Sequence, residues 1–373
     1  MKTTALLLAL LCVGCASLVQ QAKPAAKAPA AKGAPKTVDC YAVRADEKIH
    51  WRVVHEGDLE GRAFPDERTF ASDLSADING RTFRFRSDAT IISTHYQLLP
   101  FHLISAPRCY TGFASSSLDL YARDQDGKWR WVQVVRPGTQ EIKLRIAEGL
   151  DAGEREYAIY LPLYSGVEFL HVGAPLGKKF AGLRPRKQPV VFYGNGRTST
   201  AGWSLVCASR PGMVHTAILG RRFDVPVVNL GFSGIDVSDQ AAGDFLARID
   251  AAAYVIDGAG LKGETMPLVK QLRAARPNTP IIVVEERSNH RDHWDLGDAT
   301  VLMRYHKMLK EGVDARNAML KATYEQLVKE GVKGLSYVPG DLGGADYSSH
   351  AGDLGFHRQA DIFEPFLKAA LGR

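Results

Sequence analysis

Residues 190–213 read V-V-F-Y-G-N-G-R-T-S-T-A-G-W-S-L-V-C-A-S-R-P-G-M, and this stretch decides the fold. Pro189 introduces four apolar residues, 190–193, which predict a buried strand of a parallel sheet. A loop rich in glycine and serine follows at residues 194–202, and a helical pattern runs over about residues 211–223. A hydroxyl in such a loop lies at the carboxyl end of a strand and near the positive end of a helix dipole. This position suits a nucleophile, although an ordinary strand-to-helix turn has the same pattern.

Strand and helix patterns alternate through the rest of the C-terminal half. Short apolar runs predict further buried strands at residues 225–230, 252–257, 280–285 and 334–338. Helical patterns occur at residues 236–249, 264–275, 314–330 and 354–371. Five strands with intervening helices predict a doubly wound parallel sheet, which is an α/β fold in three layers.

The preceding region, residues 39–180, has the pattern of an all-β domain. Short alternating runs predict strands at residues 82–86, 90–96, 118–122, 129–135 and 157–161. Asn79-Gly80 and Asp126-Gly127 are dipeptides typical of hairpin turns. We therefore expect a β-sandwich, jelly-roll-like domain. Trp129 and Trp131 share one face of a predicted strand, which favours a packed core face over a carbohydrate-binding platform.

The N-terminus has the pattern of an export signal. Residues 1–16 combine Lys2 with a short apolar run, too short to span a bilayer as a mature helix. Cys15 ends an imperfect lipobox and is the predicted lipid attachment site, with ordinary cleavage near Ala16 as the alternative. Residues 17–38 are rich in Ala, Lys and Pro, which predicts a flexible tether. We expect an envelope lipoprotein or a secreted protein, whose membrane contact is an N-terminal lipid anchor.

The charge of the chain is concentrated near its start. Five of the six net positive charges lie in the first 37 residues, so the remainder has a net charge of +1. This distribution does not favour a nucleic-acid partner. Three cysteines remain beyond the signal: a disulfide between Cys40 and Cys109 is compatible with an oxidising compartment, and Cys207 is expected to be a buried thiol.

Several short blocks occur in a characteristic order along the chain. They are Tyr193-Gly194, C-A-S-R-P-G-M at 207–213, N-L-G-F-S-G at 229–234, and His350 with D-L-G-F at 353–356. Together they resemble the GDSL/SGNH hydrolase superfamily, in the branch whose catalytic domain follows a β-rich GxDLY domain. S-L-D-L-Y at 117–121 resembles that signature, with Ser in place of Gly. The resemblance implies a flavodoxin-like α/β/α domain with a five-stranded parallel sheet at residues 186–373.

The resemblance also implies a serine nucleophile, a histidine base, an orienting aspartate and an oxyanion hole. His350 matches the family histidine, and Gly234 matches the oxyanion-hole glycine. Gly196 stands where the family has its serine, but Thr198-Ser199 restores the expected pair if the loop is longer before it. Ser199 is therefore the predicted nucleophile, and Ser204 is the alternative.

Two further family positions differ in this chain. Tyr347 stands where the orienting aspartate belongs, and Asp346, one turn before His350, is its predicted substitute. Leu261 stands where the oxyanion-hole asparagine belongs, and a leucine donates no hydrogen bond. Asp119 of the signature and Trp129 are expected to be structural residues away from these blocks.

The resemblance implies hydrolysis of a carboxylic ester, with deacylation of a carbohydrate or another small ester as the expected reaction. The alternatives are a degenerate member that binds a glycan or ester without turnover, and a structural surface lipoprotein. Residues 286–313 are predicted to form a polar loop over the same site; histidines and aspartates in it have no established metal-ligand spacing, namely His290, Asp292, His293, Asp295 and His306. We therefore expect no metal and no cofactor.

Overall fold

A computed structural model describes most of the chain beyond its first 41 residues. The described ranges are 42–61, 81–99, 112–135, 139–163, 165–195, 208–232, 240–257, 265–286, 300–340 and 352–373. They all belong to one compact unit, residues 41–373. The predicted signal, the tether, the Asn79-Gly80 turn and the five cysteines lie outside the described residues.

The described N-terminal region is built from short antiparallel strands and one helical turn. The strands β1–β10 are Ile49–Val53, Leu59–Glu60, Thr82–Ser87, Ile92–Leu98, Asp119–Arg123, Trp129–Val134, Glu141–Ala147, Arg155–Tyr160, Val167–Pro175 and Phe180–Gly182. The helical turn, α1, is Gly112–Ser116. Each of the five predicted strand runs overlaps one of these strands. Half of the ten described strands, including β7 and β9, were not predicted.

The strands form two sheets that face each other. One sheet has the order β1-β9-β4-β7, and the other has the order β10-β3-β8-β5-β6, with β2 paired to β3. Phe83, Phe85 and Tyr157 from the second sheet are fully buried in the core between them, together with Tyr96 from the first. The β-sandwich prediction is confirmed.

The outer face of the second sheet carries the two tryptophans of β6. Trp129 is half-buried against the core shared with the C-terminal region, and the guanidinium of Arg123 lies 4.4 Å from its ring centroid. Trp131 is on the same face but is 48% exposed. The expectation of one packed face is therefore wrong for Trp131, because β6 is the edge strand of its sheet and Trp131 lies at the rim of the buried area.

The C-terminal region alternates strands and helices. Its strands β11–β15 are Val190–Asn195, Val227–Phe232, Ala253–Asp257, Ile281–Val284 and Leu335–Val338. Its helices α2–α6 are His215–Phe223, Gln240–Arg248, Thr265–Ala275, Val301–Lys329 and Asp353–Ala370. The strands form one five-stranded sheet in the order β12-β11-β13-β14-β15, and every pair in it is parallel.

Helices cover both faces of this sheet, as the alternation of side chains along β11 shows. Val190 and Phe192 pack in the core that contains residues of α2 and α6. Val191 and Tyr193 pack in the core that contains residues of α3, α4 and α5. Because both faces of β11 are buried, its side chains from Val190 to Tyr193 are apolar without alternation. The predicted three-layer α/β/α fold is confirmed.

The segment after β11 begins its helix later than predicted. Residues Pro211–Met213 form a 3₁₀ turn, and α2 starts only at His215. Because a proline fixes its backbone and lacks an N–H, it suits the first turn of a helical segment.

Helix α5 corrects the prediction of a polar loop over residues 286–313. It begins at Val301, where the side chain of the N-cap Thr300 accepts a hydrogen bond from the amide of Met303 at 3.1 Å. Residues 301–313 are therefore helical, and only residues 287–299 of the predicted loop lie outside the described structure. The N-cap signal of Thr300 followed by V-L-M marks this start in the sequence.

The first half of α5 extends beyond the sheet. Since α5 connects β14 to the parallel strand β15, it runs antiparallel to both strands. The side chain of Asn317 accepts from the amide of Glu286 at 2.9 Å and donates to its carbonyl at 2.8 Å, just past the end of β14. Since Glu286 lies past the carboxyl end of β14, the part of α5 before Asn317 lies beyond that end of the sheet. Among the described residues, no helix is both long and apolar enough to cross a bilayer.

A network of ion pairs joins the two regions. The buried carboxylate of Glu60 accepts from Arg84 Nη1 at 2.9 Å and from Arg186 Nη2 at 2.7 Å. Arg186 also donates to Asp224 at 2.7 Å, at the C-terminal end of α2. Burial alone would raise the pKa of Glu60, but the hydrogen bonds and charges of Arg186 and Arg84 outweigh it and lower that pKa.

We expect Glu60→Gln to destabilise the fold by about 2 kcal/mol at neutral pH, since a buried carboxylate that accepts from two arginines is lost. Arg84 keeps its ion pair with Glu156, and Arg186 keeps its ion pair with Asp224. A lowered carboxylate pKa contributes stability above the pKa of the unfolded chain, and this contribution is lost as the pH falls through the folded-state pKa. The difference between wild type and variant in denaturant unfolding should therefore shrink between about pH 5 and pH 2.

Asp250→Asn is the control for this measurement, because Asp250 is exposed and pairs with Arg276 at 3.4 Å. It should leave unfolding unchanged, as exposed ion pairs contribute little. A Glu60→Gln deficit that stays constant with pH would contradict the role of the Glu60 charge.

Candidate active site

The sheet order predicts a ligand crevice at the carboxyl edge of the strands. β11 lies between β12 and β13: the chain places β12 on one side of β11 and then returns to place β13 on its other side. In open parallel sheets, ligands bind outside the carboxyl ends of the strands on either side of such a switch point. The crevice is therefore expected between the ends of β11 and β13, at Asn195 and Asp257.

The predicted site residues all lie outside the described residues, in segments that follow these strand ends. Ser199 follows β11, Gly234 follows β12, and Leu261 follows β13. Asp346 and His350 follow β15, and the alternative nucleophile Ser204 is in the same segment as Ser199. Because the strands are parallel, these segments leave the described structure at a single edge. Their geometry relative to one another is not part of the described structure.

The far ends of two of these segments are bonded to each other. The carboxylate of Asp353, the first residue of α6, accepts from the amide of Ser209 at 2.8 Å and from its hydroxyl at 2.5 Å. Ser209 ends the segment that carries Ser199, and Asp353 is three residues after His350. The contact therefore ties the loop of the predicted nucleophile to the loop of the predicted base. In the sequence, Asp353 was recognised only as part of the D-L-G-F block that identifies His350, and it was not predicted to be a site residue.

The other end of the His350 segment is also held. Gly340 donates its amide to Glu285 Oε2 at 2.7 Å, and the hydroxyl of Tyr337 donates to Glu285 Oε1. A Cβ on Gly340 would lie 2.4 Å from the carbonyl oxygen of Glu286. A glycine is needed at this close approach, and the chain thus enters the segment from a fixed point.

Asp119 lies at the contact between the two regions, against the expectation that it is remote from the hydrolase blocks. Its side chain is fully buried on β5. Oδ2 accepts from Arg210 Nη1 at 2.9 Å and from the amide of Gly212 at 2.8 Å, while Oδ1 accepts from Trp131 Nε1 at 3.0 Å. Arg210 and Gly212 belong to C-A-S-R-P-G-M, so the signature residue binds the segment after the predicted nucleophile. The prediction was wrong because the contact joins residues 91 positions apart.

Aromatic rings and a second arginine pack around this cluster. The guanidinium of Arg210 lies 4.8 Å from the ring centroid of Trp131, and that of Arg221 lies 4.1 Å from the ring centroid of Tyr121. Arg221 also donates to the carbonyl of Gly212 at 2.7 Å. Both backbone polar groups of Gly212 are therefore bonded to side chains, and the segment is fixed in position.

The charges in the cluster oppose the effect of burial. Burial raises the pKa of the Asp119 carboxyl above its usual value, and the charge of Arg210 and the Gly212 amide offset only part of that rise. Burial would lower the pKa of Arg210, but Asp119 and the Tyr121 oxygen outweigh it and raise that pKa. Because the three partners of Asp119 are all donors, the acceptor-only carboxylate fits the site. A fixed cation thus lies next to Ser209.

In the described part of the chain, no cluster of three or more His, Cys, Asp or Glu residues is placed to hold a metal ion. His290, Asp292, His293 and Asp295 lie outside the described residues, and His306 is in α5 with its side chain undescribed.

The parallel sheet and the helices on both of its faces form a three-layer α/β/α domain. Residues 187–368 match the GDSL-like Lipase/Acylhydrolase family. Residues 58–180 match GxDLY, the N-terminus of Esterase_SGNH_hydro-type proteins. The chain therefore has a GDSL-like lipase/acylhydrolase domain preceded by a GxDLY domain.

Solved structures share the whole two-part architecture. A GDSL-like lipase from Bacteroides ovatus is 25% identical with a TM-score of 0.74, over 87% of this chain and 98% of its own. A salicylyl-acyltransferase from a tetracycline biosynthetic pathway is 16% identical with a TM-score of 0.60, over 88% and 96%. A family two carbohydrate esterase from Cellvibrio japonicus is 10% identical with a TM-score of 0.51, over 87% and 99%. A search of curated proteins gives no match.

Proposed function

We propose that the protein is a serine hydrolase of carboxylic esters. Ser199 is the nucleophile, His350 is its general base, and Asp346 orients His350. The observation that carries the proposal is the bond between Ser209 and Asp353, at 2.8 Å and 2.5 Å. It joins the ends of the two segments whose side chains must meet for catalysis, at the edge where parallel sheets place their sites.

In the proposed reaction, His350 takes the proton of the Ser199 hydroxyl as the oxygen attacks the ester carbonyl. His350 then gives that proton to the departing alcohol, which leaves the acyl group on Ser199. In the second half of the reaction, His350 takes a proton from water as the water attacks the acyl group, and then returns a proton to Ser199 as the acid leaves. The backbone N–H at Gly234 contributes to the oxyanion hole. The side chain of Leu261 has no donor, and one missing oxyanion-hole donor costs about a hundred- to a thousandfold in rate. A slow esterase is therefore expected.

For the substrate, we propose an acetylated or otherwise acylated carbohydrate. The supporting observation is the exposed ring of Trp131, whose N–H is held by Asp119 at 3.0 Å. A fixed indole with an accessible surface suits stacking against the apolar face of a sugar ring. Arg210, which stacks on the same indole, is next to Ser209 and so connects this surface to the candidate site.

The test is turnover of p-nitrophenyl acetate and of acetylated xylo-oligosaccharides by the purified protein. In parallel, a fluorophosphonate probe and peptide mass spectrometry would locate a labelled serine. We expect hydrolysis of both esters, a higher kcat/KM for the oligosaccharide, and the label on Ser199. A lower kcat/KM for the oligosaccharide would contradict the carbohydrate assignment and leave the esterase.

The alternative is a protein that binds a glycan or ester without hydrolysing it. It is favoured by Gly196, Leu261 and Tyr347, which stand at three positions where the family has functional residues. Absence of turnover and of labelling, with oligosaccharide binding detected by calorimetry, would establish this alternative and overturn the proposed hydrolysis.

We also propose that the protein is an exported lipoprotein anchored through Cys15. The support is the lipobox-like C-V-G-C and the following Ala/Lys/Pro-rich segment. Several acyl chains on one residue hold a protein firmly at a membrane, whereas one chain binds reversibly. Mass spectrometry of the mature N-terminus should find acylated Cys15, and Cys15→Ala should release the protein from the membrane fraction. A free N-terminus at Ser17 would contradict the anchor.

A further inference from the structure

The carboxylate of Asp119 connects the β region to the segment that ends the nucleophile loop. We propose that Asp119 is a positioning residue, which holds residues 208–213 so that Ser199 meets His350. This inference rests on the proposed function, since Ser199 is the nucleophile only there. Asp119 itself does not contact the reacting atoms in this proposal. It acts through Arg210 and Gly212.

The carboxylate is well suited to be a fixed point. Asp119 lies in β5, which is paired to β6 on one side and to β8 on the other. Its side chain is 0% exposed, and its two oxygens accept from three donors on three different residues. A buried group with these partners cannot shift without leaving polar atoms unsatisfied, which costs free energy.

The same short segment is held from the opposite side by the C-terminal helix. Ser209 is bonded to Asp353 at the start of α6, while Arg210 and Gly212 are bonded to Asp119. The β region and α6 therefore grip adjacent residues of one segment. The loop with Ser199 leads directly into that segment, and the loop with His350 leads directly into α6.

The predicted consequence is a loss of rate rather than of substrate affinity. A misplacement of about 1 Å between reacting groups lowers a rate by about a hundredfold. Removing the Asp119 charge releases Arg210 and Gly212 but leaves the sheet edge in place, and p-nitrophenyl acetate has no sugar ring that Trp131 could contact. We therefore expect kcat to fall while KM changes little.

The experiment compares kcat and KM for p-nitrophenyl acetate in Asp119→Asn, Arg210→Ala, Arg210→Lys and Trp131→Phe, at a temperature well below the Tm of each variant. Asp119→Asn and Arg210→Ala should each lower kcat about a hundredfold. Arg210→Lys keeps the charge and should recover part of that loss. Trp131→Phe removes only one donor from Asp119, so it should fold normally and lose less.

The matched control is Arg145→Gln in β7. Arg145 is as buried as the cluster residues, at 5% exposure, and pairs with Glu47 at 3.1 Å. It lies in the first sheet of the sandwich, away from the carboxyl edge. This variant should lower Tm without lowering kcat. A kcat loss in Arg145→Gln equal to that in Asp119→Asn would show that general destabilisation is the cause, and would overturn the proposal.

Hydrogen–deuterium exchange gives a reading that does not depend on turnover. Amides of residues 208–213, apart from Pro211, should exchange faster in Asp119→Asn than in wild type or Arg145→Gln. If wild type hydrolyses no ester, the proposed function fails, and this exchange difference alone decides whether Asp119 holds the loop. Unchanged exchange overturns the positioning role, as does a wild-type kcat in Asp119→Asn.

Discussion

Ser199→Ala is expected to lower kcat/KM for p-nitrophenyl acetate by about 10⁴-fold or more, because it removes the nucleophile of the proposed reaction. His350→Ala should cause a loss of similar size, since the serine hydroxyl is a weak nucleophile without its base. The double variant should be little worse than either single one, because residues that act as a unit contribute non-additively. Steady-state kinetics on the three purified variants would measure these losses.

Ser204→Ala is the control for this prediction, because it removes a hydroxyl from the same segment. It should retain most of the activity. Activity that survives Ser199→Ala and disappears in Ser204→Ala would keep the enzyme class and reject Ser199 as the nucleophile. Losses that simply add in the double variant would reject the pairing of Ser199 with His350.

Gly212→Ala is expected to destabilise the fold by about 3 kcal/mol and to lower kcat as well. The added Cβ would lie 2.5 Å from Tyr121 Cε2 and 2.8 Å from Asp119 Oδ2. Both of those side chains are buried, so they cannot move aside without cost, and overpacking of a dense site costs about 1–3 kcal/mol. The displaced amide of Gly212 would also lose its hydrogen bond to Asp119. Thermal unfolding should show a decrease in Tm of about 6 °C or more.

Gly57→Ala provides the matched comparison, because nothing lies within 4 Å of the Cβ that it would add. Its Tm should stay close to that of wild type. A Gly212→Ala variant with an unchanged Tm would mean that the β region and the segment after the nucleophile loop are not in contact in solution.

Local patterns predicted the parallel sheet well. Pro189 and the apolar run after it give β11, because a strand buried on both faces must be apolar along its whole length. Strands such as β9, V-E-F-L-H-V-G-A-P, were missed because their extended conformation depends on hydrogen bonds to neighbouring strands that are distant in the sequence. Its Gly173 lies against Ile49 and Trp51 of β1, a contact that no local pattern reveals.

Residues of the candidate site also differ in whether a local sequence pattern reveals them. His350 and Gly234 were assigned from short blocks, whereas the contact of Asp119 with Arg210 required the folded chain, because those residues are 91 positions apart. The length of α5 was underestimated for a different reason. Charged and polar residues dominate residues 304–316, so these residues lack the apolar periodicity of a packed helix. The helix that starts after Thr300 was therefore not predicted there.

The core shared by the two regions also constrains the order in which the chain can fold. Tyr121 and Tyr160 of the second sheet belong to the same buried cluster as Phe363 and Leu367, near the C-terminus. Chains are synthesised from the N-terminus, and early segments wait for their later partners. Tyr121 and Tyr160 are covered by Arg221 of α2, so the outer face of the second sheet stays uncovered until α2 has emerged. A chain that is interrupted before α2 leaves an apolar sheet face open to aggregation.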